Sequence, residues 1–398
     1  MNLKTIDDQS IKVCIVGGGF GGLYTALYLS KFNWVKAGKC EITLIEPKDN
    51  FLFTPLLYEI LTGELQRWEI APNYQKLLIG TKINWCQDRV QGIDLDNHLI
   101  ELEKSSALLN YNYLVLAAGR KVNKANIPGL ETYPLTFRSI FDAEKLQERL
   151  RILEASENRI KIAVIGAGAN GVELACKMSD RLLQKAEIFL IDRGTDILKD
   201  FNSGINKATK KAIKARRIQL LLETEVQEIQ LNKIRLSCHN QIINQSIDLV
   251  LWTTGTETID WVSNLNCQAN SRGQLLTYPT LQLIDYPEVL ALGDLAEVRY
   301  SKTKVAPATA QAAYQQAPIA AKNLQAAMLN KPRRGFSYLH LGDMLTLGKE
   351  TAIISSFRIN LTGRVAGILR RLIYLQRLPT MRHRLQVFKN LFGLKFYE

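Results

Sequence analysis

Lys12–Gly22 reads KVCIVGGGFGG, and the reading of this stretch decides the fold. A short run of Val, Ile and Cys, apolar on successive residues, suits a strand buried on both faces. It ends in Gly17, Gly19 and Gly22, spaced GxGxxG, and leads into a helical pattern. The three glycines have different roles. Gly17 permits the tight turn, Gly19 lets the backbone approach a pyrophosphate, and Gly22 lets the helix pack on the strand. Phosphates then meet a helix N-terminus, where N–H groups and the helix dipole favour negative charge.

One glycine motif is weak evidence, and context strengthens it. Here the next apolar run, EITLIE, ends in Glu46, a carboxylate that can accept from a ribose diol. The whole arrangement then recurs. Lys161–Gly171 reads KIAVIGAGANG, with Gly166, Gly168 and Gly171 in the same three roles, and EIFLID ends in Asp192. A third pair follows in the same order: YLVLAAG ending in Gly119, and DLVLWTTG ending in Gly255. Three matched features in sequence predict an α/β protein with two Rossmann-like units, one per dinucleotide. Later, VLALGD offers Asp294 to the ribityl chain of a flavin and Gly293 for close backbone access; by itself it also reads as a strand with a Gly-Asp turn.

The totals exclude other classes. The six cysteines form no CxxC pair and the four histidines are isolated, so neither a metal site nor a vicinal redox disulfide is expected. Scattered cysteines suit a reducing compartment. The polar N-terminus shows no signal peptide, and no uncharged apolar window of about 18 residues suggests a membrane-crossing helix. Net charge is +13, which favours anionic partners. Nine Lys or Arg and one acid lie between Arg358 and Glu398. On a helical wheel Arg364, Arg370, Arg371 and Arg377 share one side, and Val365, Ile368, Leu372 and Leu375 the other. That pattern predicts an amphipathic helix lying in a membrane interface. Without aromatic interleaving or a binding fold, nucleic acid is not expected.

Taken together, these motifs resemble the two-dinucleotide-binding-domain flavoprotein reductases, and further segments narrow the match to the type II NAD(P)H:quinone oxidoreductases. Asn50–Glu59, NFLFTPLLYE, is similar to that family's segment beside the flavin. Ala308–Ala317, ATAQAAYQQA, is similar to its quinone-site motif, and Gly363–Leu394 to its membrane-binding tail. The resemblance spans essentially the whole chain and looks closest to the cyanobacterial and plastid branch, some of whose members reduce demethylphylloquinone. The tail departs from the family in lacking tryptophan, which bears on insertion depth.

The resemblance implies FAD at the first glycine motif, with Thr54, Pro55, Gly119, Arg120, Gly293, Asp294 and Ala310 around it. It implies NAD(P)H at the second, with Asp192, Arg193 and Gly255. Domains are expected at 1–125 plus 270–330 (FAD), 126–269 (NAD(P)H) and 331–398 (membrane binding). Glu173 is either a proton relay or a first-turn acid complementing the helix dipole. Gln311 and Gln315, four residues apart on one helical face, are expected to present amides to quinone carbonyls, with Gln316 structural and Tyr314 a wall or a packing residue. Lys349 reads more simply as a solvated loop lysine than as a flavin contact. The expected protein is a non-pumping reductase of a membrane quinone, of naphtho- or plastoquinone type, at the cytoplasmic face of a plasma or thylakoid membrane, with a homodimer left open. A slow flavoprotein redox sensor has the same motifs; sulfide:quinone chemistry needs cysteines that the chain lacks after Cys267. Asp192 repels a 2′-phosphate while Arg193 attracts one, so both nicotinamide cofactors are allowed.

Overall fold

The structure is a computed structural model that describes residues 10–123, 126–357, 359–391 and 393. Arg358, Phe392 and 394–398 of the tail therefore lie outside the described residues. The chain packs as two compact units: residues 1–51, 72–121 and 256–339 form the first, and 52–71, 122–255 and 340–398 the second.

The first unit is built on a five-stranded sheet in the order Val289–Ala291, Tyr113–Leu116, Ile11–Val16, Cys40–Ile45, Ile83–Cys86, every neighbouring pair parallel. The strand Ile11–Val16 is buried from Val13 onward on both faces, as its unbroken apolar run requires. At its end Gly17 takes φ +99°, and a Cβ there would lie 2.5 Å from the Ala117 carbonyl oxygen. A Cβ on Gly22 would lie 1.8 Å from the Gly17 carbonyl oxygen, so only glycine lets the helix Phe20–Leu29 settle on its strand. The helix Ala310–Met328, capped by Thr309 Oγ1 at the Ala312 N–H, packs along Phe20–Leu29. Small residues on both helices allow that approach.

The second unit repeats the construction. Its sheet runs Gln219–Leu221, Ala186–Ile191, Ile160–Ile165, Leu249–Trp252, Leu135–Thr136, all parallel. Gly166 takes φ +108°, and a Cβ on Gly171 would again meet the Gly166 carbonyl oxygen at 1.8 Å. One core cluster joins this sheet to the antiparallel ribbon Thr224–Gln230, Lys233–Cys238, Gln241–Ser246. A second antiparallel sheet, Asp343–Thr346, Ala352–Ser356, Ile359–Gly363, leads into the helices Arg364–Gln376 and Met381–Leu391. The segment from Leu52, with the short helices Thr54–Ile60 and Arg67–Ile70, belongs to this unit.

Because backbone oxygen cannot move aside as a side-chain tip can, Gly22→Ala and Gly171→Ala should each cost about 2 kcal/mol or more. Thermal unfolding checks this, with Gly19→Ala as the control: nothing lies within 4 Å of a Cβ at Gly19.

Candidate functional site

Each unit carries a cradle, and the two are built alike. In the first, Gly17 N donates to Ile45 O (2.9 Å) and Gly18 N donates to Glu46 Oε2 (2.7 Å). In the second, Gly166 N donates to Ile191 O (2.7 Å) and Ala167 N donates to Asp192 Oδ2 (2.7 Å). The acid at the end of the second strand thus holds the glycine turn, and its remaining lone pairs stay available as acceptors. Asp192 Oδ1 also accepts from Gly194 N at 2.6 Å, and Glu46 Oε1 from Lys48 N at 3.1 Å. Gly119 and Gly255 both take φ +71°, one in each matching turn.

In each GxGxxG motif one glycine has no protein reason to be glycine. Gly19 and Gly168 cap their helices with ordinary extended backbone, φ −72° and −74°, and a Cβ on either would have no neighbour within 4 Å. Bare backbone facing open space at a helix N-terminus fits a pyrophosphate. In the first unit Arg120 adds a cue. Its Nε and Nη2 donate to Thr256 and Arg272, while its Nη1 is buried without a partner, as a donor awaiting a ligand acceptor would be. Gly293 takes φ +74° beside Asp294, whose carbonyl accepts from Gln274 Nε2 at 3.1 Å. These groups fit a dinucleotide in each unit.

The helix Ala310–Met328 uses its glutamines differently from the sequence expectation. Gln316, 1% exposed, accepts the Gly293 N–H at 2.7 Å and so pins the Gly-Asp turn. Gln315 does not hold its amide out to a substrate carbonyl: its Nε2 donates to Leu339 O (2.8 Å) and its Oε1 accepts from Leu339 N (3.0 Å). The backbone of the returning segment presents a matched donor and acceptor, and the amide closes on both. Gln311 Oε1 accepts from Tyr338 OH at 2.7 Å, which fixes which end of its amide donates. Tyr314 packs edge-on against Tyr24, ring centres 4.9 Å apart.

The second unit holds a buried charge cluster that the sequence did not announce. Glu173 lies in the helix Ala169–Leu182, past its first turn and facing inward. The dipole-capping alternative therefore fails on position. Its Oε1 accepts from Thr346 N (2.8 Å) and lies 3.5 Å from Arg370 Nη2. Arg370 is 2% exposed; it pairs with Glu59, donates to Pro55 O at 2.6 Å and lies over the Tyr374 ring. This corrects the helical wheel, which placed Arg370 on a solvated basic side and Leu375 on the apolar side away from it. Both are buried, with Ala366, Gly367 and Tyr374, while Val365, Ile368, Leu369 and Leu372 face outward. Carboxylates inside the unit require a cation, and Gly367, whose Cβ would lie 2.5 Å from Glu350 O, lets the helix deliver one. One turn along from Glu173, fully buried Lys177 pairs with Glu64, which also pairs with Arg371. Thr54 is exposed, and exposed Lys349 is a loop residue whose N–H donates to Asp180.

Burial pushes the Glu173 carboxyl up to about 7, against the pull of Arg370 and of the Thr346 N–H. Arg370 gives its closest contact to Glu59 and a more distant one to Glu173.

The chain matches the model of the pyridine nucleotide-disulphide oxidoreductase family over residues 11–317. It is 40% identical over 387 residues, 96% of each chain, to the demethylphylloquinone reductase NdbB of Synechocystis sp.. The chain belongs to the pyridine nucleotide-disulphide oxidoreductases, in their type II NAD(P)H:quinone oxidoreductase branch. It is also 36% identical to the alternative NAD(P)H-ubiquinone oxidoreductase C1 of Arabidopsis thaliana, over 96% of this chain and 80% of that one. Among solved structures, NDH2 of Plasmodium falciparum in complex with NADH has the same fold, with TM-score 0.85 at 21% identity, covering 98% of this chain and 99% of that one. A type II oxidoreductase accounts for two cradles in one chain.

A carboxyl whose folded pKa lies above its unfolded value stabilises the fold below the unfolded pKa and loses that contribution as pH rises through the folded one. For Glu173 the window runs from about 4.5 to about 7. Glu173→Gln should therefore gain melting temperature relative to the parent as pH is raised across that window. A Tm difference that stays flat from pH 5 to 8 would show that Glu173 titrates normally.

Proposed function

We propose that the chain is an FAD-dependent NAD(P)H:quinone oxidoreductase, with FAD in the cradle of the first unit and NAD(P)H in that of the second. The observation that carries this is the pair of unconstrained glycines, Gly19 and Gly168, one in each cradle, where the protein itself asks for no glycine. When bound, the flavin supplies two-electron chemistry between a nicotinamide and a quinone. The chain's residues do the rest. Gly17, Gly19, Gly22, Glu46 and Arg120 hold the FAD, together with Gly119, Gly293, Asp294 and Ala310. Gly166, Gly168, Gly171, Asp192, Arg193 and Gly255 hold the NAD(P)H, and Thr54 and Pro55 are proposed to approach the flavin.

Reducing a quinone takes up two protons. Glu173, buried and titrating near neutrality, can hold or release one at its Oε atoms, with Arg370 present to steady the charged form. Gln311 is proposed as the quinone's hydrogen-bond partner, oriented by Tyr338. Gln315, committed to Leu339, is proposed to shape that wall rather than to donate. A naphthoquinone lacking its ring methyl is the proposed acceptor class, because a demethylphylloquinone reductase is the relative at 40% identity.

No described helix is long and apolar enough to cross a membrane. We propose that the protein instead docks on the cytoplasmic face of one. The support is an outward apolar stripe: Val365 (64% exposed), Ile368 (60%), Leu369 and Leu372 on one helix, with Met381, Leu385 (52%) and Phe388 on the next. Arg364 and Arg382 lie exposed among them. Apolar side chains turned outward beside cations suit anionic headgroups, each cation adding about 1 kcal/mol.

Gln311→Leu should raise the quinone KM about tenfold, the loss of one well-placed hydrogen bond, and leave the NAD(P)H KM within about twofold. Steady-state kinetics with varied quinone and nucleotide check this; equal effects on both would remove Gln311 from the quinone site. The double substitution Ile368→Asp, Leu372→Asp should keep flavin and ferricyanide-linked NADH oxidation but lose co-sedimentation with anionic vesicles. If vesicle binding survives and the sedimentation mass halves instead, the stripe is a homodimer interface.

A further inference from the structure

Away from both cradles, the antiparallel ribbon of the second unit brings together a thiol, an imidazole and a carboxylate. Cys238 Sγ lies 3.2 Å from His239 Nδ1, and His239 Nε2 lies 3.7 Å from a Glu223 carboxylate oxygen. Cys238 ends the strand Lys233–Cys238, His239 opens the turn to the next strand, and Glu223 immediately precedes the strand Thr224–Gln230 that pairs with the first. A thiol beside an imidazole that can take its proton is the arrangement that activates it; the Glu223 carboxylate, 3.7 Å from the ring, lies beyond hydrogen-bond reach and adds only a nearby negative charge. His239 and Glu223 are both more than half exposed, so a reagent can reach the group.

The other five thiols are held back. Burial pushes Cys14, Cys40 and Cys176 up to about 12. Burial, with Asp285 nearby, raises Cys267 to about 11, and burial with Asp88 nearby raises Cys86. Among the described residues, no imidazole lies close enough to any of the five to act on its proton.

The group is wired to the nucleotide cradle of the same unit. Cys238 is the cross-strand partner of Thr224, and strand alternation puts both on the face that carries buried Val226 and Leu236. The Thr224 N–H donates to the Asp192 carbonyl, and the Glu223 N–H donates to the Gly194 carbonyl, both at 3.0 Å. Thr224, across the strands from Cys238, and Glu223, beside His239, therefore hold the backbone of the Asp192–Arg193–Gly194 turn. A bulky group added to Cys238 sits directly across the strands from Thr224, whose backbone holds that turn.

We propose that Cys238 is a modifiable thiol, activated by the neighbouring His239, that forms a mixed disulfide with low-molecular-weight disulfides such as glutathione disulfide and thereby weakens nucleotide binding. The second half rests on the reading of the second cradle as the NAD(P)H site. In the reaction, Cys238 Sγ attacks one sulfur of the disulfide; a new S–S bond forms to Cys238 and the reagent's own S–S bond breaks. The thiol proton passes to His239 Nδ1 and on to the departing thiolate, so the products are the mixed disulfide and one free glutathione thiol.

The test uses the flavin-loaded full chain exposed to glutathione disulfide, with modification of each of the six cysteines followed by peptide mass spectrometry. Cys238 should be modified at least about tenfold faster than Cys86 or Cys267, and His239→Asn, which tolerates the left-handed backbone at that turn, should slow it about fivefold or more. Calorimetric titration with NAD⁺ should then show affinity reduced about threefold or more in the modified protein and unchanged in Cys238→Ser treated alike. Equal labelling of Cys86 or Cys267, or no effect of His239→Asn, would overturn the activated thiol. Full modification of Cys238 with unaltered NAD⁺ affinity would overturn the link to the cradle. The labelling arm is read by mass alone, so it stands or falls separately from the quinone reductase reading.

Discussion

The second unit depends on one guanidinium. Arg370 is buried between Glu59, the Pro55 carbonyl and Glu173, with Tyr374 beneath it. Such an arrangement contributes little net stability against an apolar alternative, since three charged groups have left water. Its removal is another matter: two carboxyls would stay buried without their cation, a loss of about 3–5 kcal/mol. A second rung, Lys177 and Arg371 on Glu64, runs beside the first. The two rungs fasten the segment after Leu52, the helix behind the GAGANG turn and the helix Arg364–Gln376 into one body. Cutting the helix Arg364–Gln376 away would therefore remove Arg370 and Arg371 from the buried carboxyls they pair with, not merely detach a surface appendage.

The same cluster explains how a glutamate comes to titrate near neutrality in a chain with a large positive surplus. The Arg370 charge is engaged first by Glu59, the closer partner, and Lys177 and Arg371 by Glu64. Glu173 is left with one Thr346 N–H and a more distant edge of the guanidinium. Burial then outweighs attraction. A group held this way can change charge without breaking the cluster, because the two remaining carboxylates keep the cations paired. The raised carboxyl and the ionic contacts that hold the unit together thus fall on different members of one network.

Much of the cradle chemistry was legible because it is written in contiguous residues. Two GxGxxG turns, Glu46, Asp192, Gly119 and Gly255 declare themselves by spacing, and the positive φ values and absent Cβ atoms show why each motif glycine that closes a turn is needed. The charge cluster was not legible, because its members are far apart in sequence and each alone looks like a surface residue. The wheel sorted Arg370 by residue type and turned the helix the wrong way. The signal was beside it: Ala366-Gly367, a small-residue face next to an arginine, marks the side that must come close to other backbone. Gln315 and Gln311 were grouped by periodicity, and periodicity cannot see Leu339 and Tyr338 arriving from a later segment. Gln316, set aside as structural, turned out to hold the Gly293 turn itself.

An inward ionic face also changes what the outward face can do. An amphipathic helix that packs by apolar contacts turns its apolar side to the core and can roll when a better apolar surface is offered. Here the inward contacts are directional: guanidinium to carboxylate, guanidinium to carbonyl, arginine over a ring. Rolling the helix would break all of them together. Val365, Ile368 and Leu372 are consequently held outward in a fixed array, with most of the ordering cost met on folding and little left to meet on docking. A surface prepared in that way needs only modest apolar area and a few cations to bind an anionic interface. On the proposed docking, that rigidity supplies part of what interfacial aromatics supply elsewhere, in a tail whose sequence holds no tryptophan.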